Sequence, residues 1–398
     1  MKPLVVMNYA AHYRVPLFER MHEEFGAEFV FFSQGSEEYW QPHLDVNRGR
    51  FPATVVLGFE TVAKLRVNPG LARELLRRDY DVLVKCINGR LEVLTSLVVA
   101  KARRKPFVLW TEIWNHPRTA FHRLSQPVVR AVYRHSDAIV GSGDHFARFV
   151  IEEGVDPAKV FVAELAADND AFASGADAGA ARRFREAAGA VGRPLVLSVA
   201  RLVPEKGLDV LLRAVSGLAD LRPVVAVVGT GPLRDELAGL AAGLGVDLYL
   251  AGGLQPQDMP GVYGAADVFV LPSVTTAWVR EPWGLAVNEA MNCGVPVVAS
   301  TAVGAVAGGL VQDGRTGLVV PERDERALAA ALRRLLTDRE LAAALAARAR
   351  DWVREFSYEA ALEGFREVFA YLGEQRAAAS RPRPAGAGGR DAGPSTAG

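Results

Sequence analysis

Along this chain, short uninterrupted apolar runs alternate with stretches in which apolar residues recur at three- and four-residue spacing. The runs PLVVM (3–7), DVLVKC (81–86), PFVLW (106–110), DAIVGS (137–142), PLVLSVA (194–200), PVVAVVG (223–229), DVFVLP (267–272) and PVVAS (296–300) are rich in β-branched residues. Runs of that length and composition predict strands buried on both faces, as in parallel sheets. Between them, Leu208, Leu211, Leu212 and Val215, and again Leu328, Leu332, Leu335 and Leu336, fall on one side of a helix. The alternation occurs twice over, which predicts an α/β protein with two Rossmann-like, doubly wound domains.

Residues 173–192, rich in Gly and Ala with little strand character, mark the expected seam between a domain at 1–178 and a second at 190–355. A stripe of Leu362, Phe365, Val368, Phe369 and Leu372 predicts a last helix over 356–375 that needs an apolar partner surface. Beyond it, 376–398 is Pro, Gly, Ala and Arg without apolar periodicity, the composition of a disordered tail.

A length of 398 residues agrees with two cores rather than one. Lys plus Arg equals Asp plus Glu at 46 each, so whole-chain charge offers no case for a nucleic-acid partner. Cys86 and Cys293 lie in separate halves without metal-ligand spacing and read as small buried apolar residues. No signal-peptide pattern opens the chain and no segment approaches roughly 18 uninterrupted apolar residues, so a cytoplasmic protein is expected.

Chemistry first enters at EPWGLAVNEAMNCGVPVVAS (281–300), where Glu281 precedes a helix expected over 284–292 and Glu289 lies in its body, with Gly294 as the stop. Eight residues of helix rise about 12 Å, more than the roughly 5 to 9.5 Å that separates hydrolytic carboxylate pairs. The two acids are better placed to accept hydrogen bonds from different hydroxyls of one extended ligand. The plain alternative makes Glu281 a helix-start charge and Glu289 a solvated one.

In LSVARLVPEKGLDVLL, Arg201 stands at a strand's carboxyl edge and Lys206 just before a helix start, positions suited to clamping a diphosphate. A surface ion pair of Lys206 with Glu205 or Asp209 is the plain alternative. VVGTGPLRDEL has Gly229 and Gly231 but Arg234 at the third glycine position of a dinucleotide fingerprint, so NAD is not indicated.

These segments, in this order and at these intervals, resemble the retaining GT-B glycosyltransferases of family 4 (glycosyl transferases group 1) over nearly all of the second half. The resemblance implies a GT-B fold, with the acceptor on the side of the first domain, the nucleotide sugar on the second, a cleft between them and a C-terminal helix crossing back to the first. It implies that Arg201 and Lys206 hold the diphosphate of a UDP- or GDP-linked sugar, that Glu289 accepts from the ribose, and that Glu281 contacts the donor sugar. Backbone N–H groups near Gly284 and Leu285 would assist, and neither metal nor further cofactor is implied. The expected activity is transfer of a hexose to an acceptor hydroxyl on a glycan, glycolipid or natural product, with retention.

The first half resembles the family less. Ala10, Ala11 and His12 stand where the first turn usually has a glycine pair, with His12 expected to face the cleft. His116 or Glu112 occupies the place of a donor-facing histidine, and Gly309 stands at a usually acidic position. Between Leu97 and His135 eight Lys or Arg face one acid, Glu112, which suggests peripheral contact of the first domain with an anionic acceptor or the inner leaflet.

Rival expectations are a GT-B sugar-nucleotide epimerase, a pyridoxal phosphorylase and a non-catalytic bilobed sugar-binding protein. The phosphorylase needs a Schiff-base lysine, and Lys206 is already assigned to phosphate. Binding of a nucleoside diphosphate separates a transferase from a sugar receptor.

Overall fold

All eight apolar runs form strands whose ends lie within a residue of those expected, in a computed structural model that describes residues 1–33, 49–61, 66–174 and 177–380. The first sheet has seven strands in the order Ala53–Val55, Glu28–Phe31, Pro3–Met7, Val82–Cys86, Phe107–Trp110, Ala138–Gly141, Val160–Val162. The second has six, in the order Asp247–Gly252, Val224–Val228, Leu195–Val199, Val268–Leu271, Val297–Ser300, Leu318–Val320. Every pairing in both is parallel. This is the two-domain α/β GT-B fold. Of the strands absent from the sequence reading, Asp247–Gly252 and Val160–Val162 are only partly buried, whereas Glu28–Phe31 does carry an apolar run, with Phe29, Val30 and Phe31 fully buried, and was not among those expected.

Strand order reverses between Pro3–Met7 and Val82–Cys86 in one sheet and between Leu195–Val199 and Val268–Leu271 in the other. Crevices beyond the carboxyl ends at such points are where open α/β sheets bind ligands.

The last helix finds its partner on the first domain. Leu362, Phe365, Val368, Phe369 and Leu372 are buried in the first-sheet core. There Phe365 meets Trp110 edge-on and Phe369 meets Phe25, each at 5.0 Å between ring centroids. The helix runs Tyr358–Ser380, five residues past the expected end, because its Ala-rich close is strongly helix-forming. The rest of the expected tail, 381–398, lies outside the described residues.

The expected seam also contains a helix, Ala178–Ala187, capped by the Asp177 carboxylate. Its Ala181 and Phe184 pack on the second-sheet core, with Phe184 edge-on to Tyr249. The segment therefore belongs with the second sheet: its alanines are helix formers, not linker residues.

Polar contacts tie the two domains beside the cleft. Trp114 Nε1 donates to the Glu281 carbonyl at 2.9 Å and Asn292 Nδ2 to Asn169 Oδ1 at 2.8 Å. The Arg280 guanidinium lies 3.8 Å from the Trp114 ring centroid. His145, between Trp114 and Trp283, is held neutral because burial lowers its pKa to about 4. Among the described residues no helix is long and apolar enough to cross a membrane.

Candidate active site in the interdomain cleft

The strand Leu195–Val199 delivers Arg201 to the switch point, and a short 3-10 turn, Pro204–Lys206, follows. Gly207 then takes φ +60°, and a Cβ there would lie 2.2 Å from the Pro272 carbonyl oxygen. Only glycine lets this turn press against the end of the neighbouring strand. That contact brings Lys206 to Glu281, 75 positions away, in an ion pair whose side chains are 14% and 10% exposed. Ser273 Oγ donates to the same carboxylate at 3.1 Å. Burial alone would raise the Glu281 pKa, but the Lys206 charge and the hydrogen bonds from Lys206 and Ser273 outweigh it and keep the group ionised.

Arg201 Nη2 lies 3.1 Å from Glu205. The ion pair weighed for Lys206 with Glu205 or Asp209 is thus partitioned differently: Glu205 pairs with Arg201, and Lys206 reaches across to Glu281.

The helix carrying Glu289 runs Ala286–Asn292, two residues later than expected, so Glu289 sits in its first turn rather than in its body. The delay comes from Gly284, at φ +93°, where a Cβ would stand 2.5 Å from Leu271 Cδ2. Gly294, at φ +70°, follows the helix end as expected. The Tyr263 hydroxyl donates to Glu289 at 2.5 Å. Burial pushes the Glu289 carboxyl up to about 7, with the Tyr263 hydrogen bond acting in the opposite direction.

One cavity of about 380 Å³ gathers these groups: Arg201, Lys206, Glu281, Gly284, Leu285 and Glu289 from the second domain, and Tyr9, His12 and Tyr13 from the first. His116 is not among them. It lies 2.9 Å from Glu153, a carboxylate that also holds Arg130, and its ring meets Phe149 at 5.0 Å. The expectation of a cleft-facing histidine after the strand Phe107–Trp110 is corrected accordingly. Glu112 instead pairs with Arg14 and lines an adjoining cavity. The Gly309 carbonyl accepts from Gln312 and Trp352.

Ser273 and Tyr263 escaped the sequence reading. Ser273 follows a predicted strand end, which is a weak signal. Tyr263 lies 26 positions before Glu289 in a short helix, Met259–Gly264, and nothing local marks it.

Residues 181–352 match the family model described as glycosyl transferases group 1. The second domain is a glycosyltransferase group 1 domain. The chain is 39% identical over 191 residues to a GDP-mannose-dependent alpha-(1-6)-phosphatidylinositol monomannoside mannosyltransferase of Mycolicibacterium smegmatis, covering 46% of this chain and 49% of that protein. It is 35% identical over 259 residues to a D-inositol 3-phosphate glycosyltransferase of Geodermatophilus obscurus, covering 61% and 54%. The chain thus spans about half the length of these curated relatives. Among solved structures, the crystal structure of Anabaena HepE in complex with UDP and glucose superposes with a TM-score of 0.75 at 19% identity, covering 93% of this chain and 99% of that one. At that identity the likeness is one of fold, and it extends across both domains.

Proposed function

We propose that this chain transfers a hexose from a UDP- or GDP-linked sugar to an acceptor hydroxyl, with retention and without a metal. The observation that carries the proposal is the convergence of Arg201, Lys206, Glu281 and Glu289 on one cavity at the second sheet's switch point. Lys206 has three N–H donors, so holding Glu281 leaves donors for phosphate, and Arg201 has donors beyond the one on Glu205. The two cations stabilise the diphosphate as negative charge develops on it. Glu289 receives the ribose diol, and Glu281, fixed by Lys206 and Ser273, meets the donor sugar. The acceptor oxygen bonds to the anomeric carbon as the bond from that carbon to the diphosphate breaks, and the hydroxyl proton leaves to a diphosphate oxygen. The GDP- and UDP-related names of the protein's relatives and structural neighbours support this donor class.

The test is release of UDP or GDP from a panel of nucleotide sugars in the presence of a chelator, with product anomers read by NMR. Release with retained configuration is expected. Binding of free sugars with no release of nucleotide points instead to a receptor.

We place the enzyme in the cytoplasm, in peripheral contact with the inner leaflet. The helix Ala120–His135 exposes Leu124 (82%) and Val128 beside exposed Arg123, Arg130 and Arg134, and Val98 (66%) is exposed on the neighbouring helix Arg90–Ala102. Apolar tips rimmed by cations suit an anionic bilayer surface. Co-sedimentation with phosphatidylglycerol vesicles, and not with phosphatidylcholine, is expected, and Leu124→Glu should abolish it. Equal sedimentation of the variant would remove the contact.

A further inference from the structure

A cavity of about 370 Å³ lies on the first domain at the edge of the sheet away from the cleft. Pro106, Asp137 and Lys159 line it, and each directly precedes a strand, Phe107–Trp110, Ala138–Gly141 and Val160–Val162. These strands are parallel neighbours, so the cavity sits at their amino ends and the cleft beyond their carboxyl ends. One wall is the close of the helix Arg90–Ala102 with Arg104 and Lys105 after it. The other is the last helix, through Tyr371, Gln375 and Arg376.

Five cations line this space, Lys101, Arg104, Lys105, Lys159 and Arg376, against one carboxylate, Asp137. Asp137 is fully engaged: its oxygens accept from Lys101 Nζ at 2.8 and 2.7 Å, and one of them also from the Phe107 N–H at 2.8 Å. Burial raises the Tyr371 pKa, and Asp156 and Asp137 raise it further, so Asp156 also acts on this space. Its carboxylate caps the turn Pro157–Lys159, accepting from the Ala158 N–H at 3.0 Å. Among the described residues no carboxylate pairs with Arg104, Lys105, Lys159 or Arg376. Five cations less two acids leave a net charge of +3. Helix dipoles favour cations near helix ends, which accounts for those at the close of Arg90–Ala102 but not for Lys159, which leads into a strand.

Charge and size select the ligand. A phosphate monoester carries about 1.5 to 2 negative charges at neutral pH, so two phosphates on one molecule meet this cavity and one leaves it undercompensated. Arginine forks and lysine ammonium groups both suit phosphate oxygens. At roughly 30 Å³ per water in the liquid, the space holds about twelve waters, room for one ring with two phosphates. The Tyr371 hydroxyl and the Gln375 amide can serve hydroxyls on that ring. No exposed large apolar side chain lines the cavity, so it lacks the apolar tips that a bilayer contact uses.

We infer that this cavity is a second anion site, separate from the donor cleft, and that it takes a soluble small molecule bearing two phosphate groups. Arg104, Lys105, Lys159 and Arg376 hold the phosphates, and Asp137 fixes Lys101 beside them. The site stands whichever donor the cleft takes.

The experiment titrates the full chain by calorimetry with fructose 1,6-bisphosphate and inorganic pyrophosphate, and in parallel with inorganic phosphate and citrate. Co-sedimentation with cardiolipin vesicles tests a lipid source of the same phosphates. Saturable binding of a diphosphorylated probe is expected, at least about tenfold tighter than inorganic phosphate or citrate and weaker as salt is raised. Arg104 has φ +55° just past its helix, where the Lys105 N–H returns to the Ala100 carbonyl at 2.9 Å. Glycine takes that position most readily, so Arg104→Gly removes the charge and should melt at or above the wild-type temperature. Its affinity for the probe should fall about tenfold, and further when Lys159→Gln is added. Arg201→Gln, which alters only the cleft, should leave that affinity within about twofold. No saturable binding of either diphosphorylated probe, or unchanged affinity in the Arg104→Gly, Lys159→Gln double variant, overturns the inference. So does a loss in Arg201→Gln that matches the loss in Arg104→Gly, which would put the probe in the cleft, or binding of the vesicles alone.

Discussion

Lys206→Ala is expected to lower kcat/KM for the nucleotide sugar by at least about tenfold and to destabilise the fold by on the order of 3 kcal/mol. The two effects have separate origins. Turnover falls because a cation that meets the developing diphosphate charge is gone. Stability falls because Glu281, 10% exposed, is left ionised without its main partner. A double variant, Lys206→Met with Glu281→Gln, removes both buried charges together and should regain most of the lost thermal stability while staying inactive. Thermal melts and steady-state kinetics on the three proteins check this. A Lys206→Ala protein with wild-type melting and turnover would show that the pair neither holds the loop nor serves the donor.

Glu289→Gln should separate stability from binding through pH. The folded-state pKa of Glu289 is raised to about 7 from an ordinary value of 4.5. The folded form therefore binds the extra proton between those values, and the Glu289 contribution to stability declines as pH rises through that window. Below about 4.5 the carboxyl is neutral in both states, and above 7 the cost of the buried charge is complete. Glu289→Gln removes this dependence, so the variant should melt higher than wild type at pH 8 and much closer to it at pH 5. Donor binding runs the other way. A carboxylate accepts from both ribose hydroxyls more readily than a neutral acid, so wild-type nucleotide affinity should rise from pH 6 to pH 8, and Glu289→Gln should lose about tenfold at pH 8. Melting curves and nucleotide titrations at the two pH values decide it. A pH-independent affinity in the wild type would show that Glu289 does not meet the ribose.

The parts of the molecule legible in the sequence were those in which local pattern and long-range packing ask for the same residues. Strands such as Val224–Val228 are fully buried, so each position is apolar and the run is unmistakable. Asp247–Gly252 forms the edge of the same sheet, is only partly buried, and leaves no such trace. Ala178–Ala187 was legible only as part of the seam, because alanine fills linkers and helices alike, and its packing against Tyr249 and its neighbours joins it to the second sheet.

The candidate site divides in the same way. Arg201, Lys206, Glu281 and Glu289 sit on turns and a helix start whose spacing is local, and the cleft gathers them. Ser273 and Tyr263, which donate hydrogen bonds to the two glutamates, are joined to them only by the fold. His116 and Glu112 show the limit of position along the chain. Both follow the same strand, yet one turns to Glu153 and the other to Arg14 beside the cleft.

The most direct measurement is calorimetric titration of the purified chain with UDP, GDP and ADP, alongside free glucose and mannose, without added metal, in wild type and Lys206→Ala. Saturable binding of UDP or GDP, weakened about tenfold or more in the variant, is the result that the donor site requires. Binding of a free sugar with no binding of any nucleotide would contradict it.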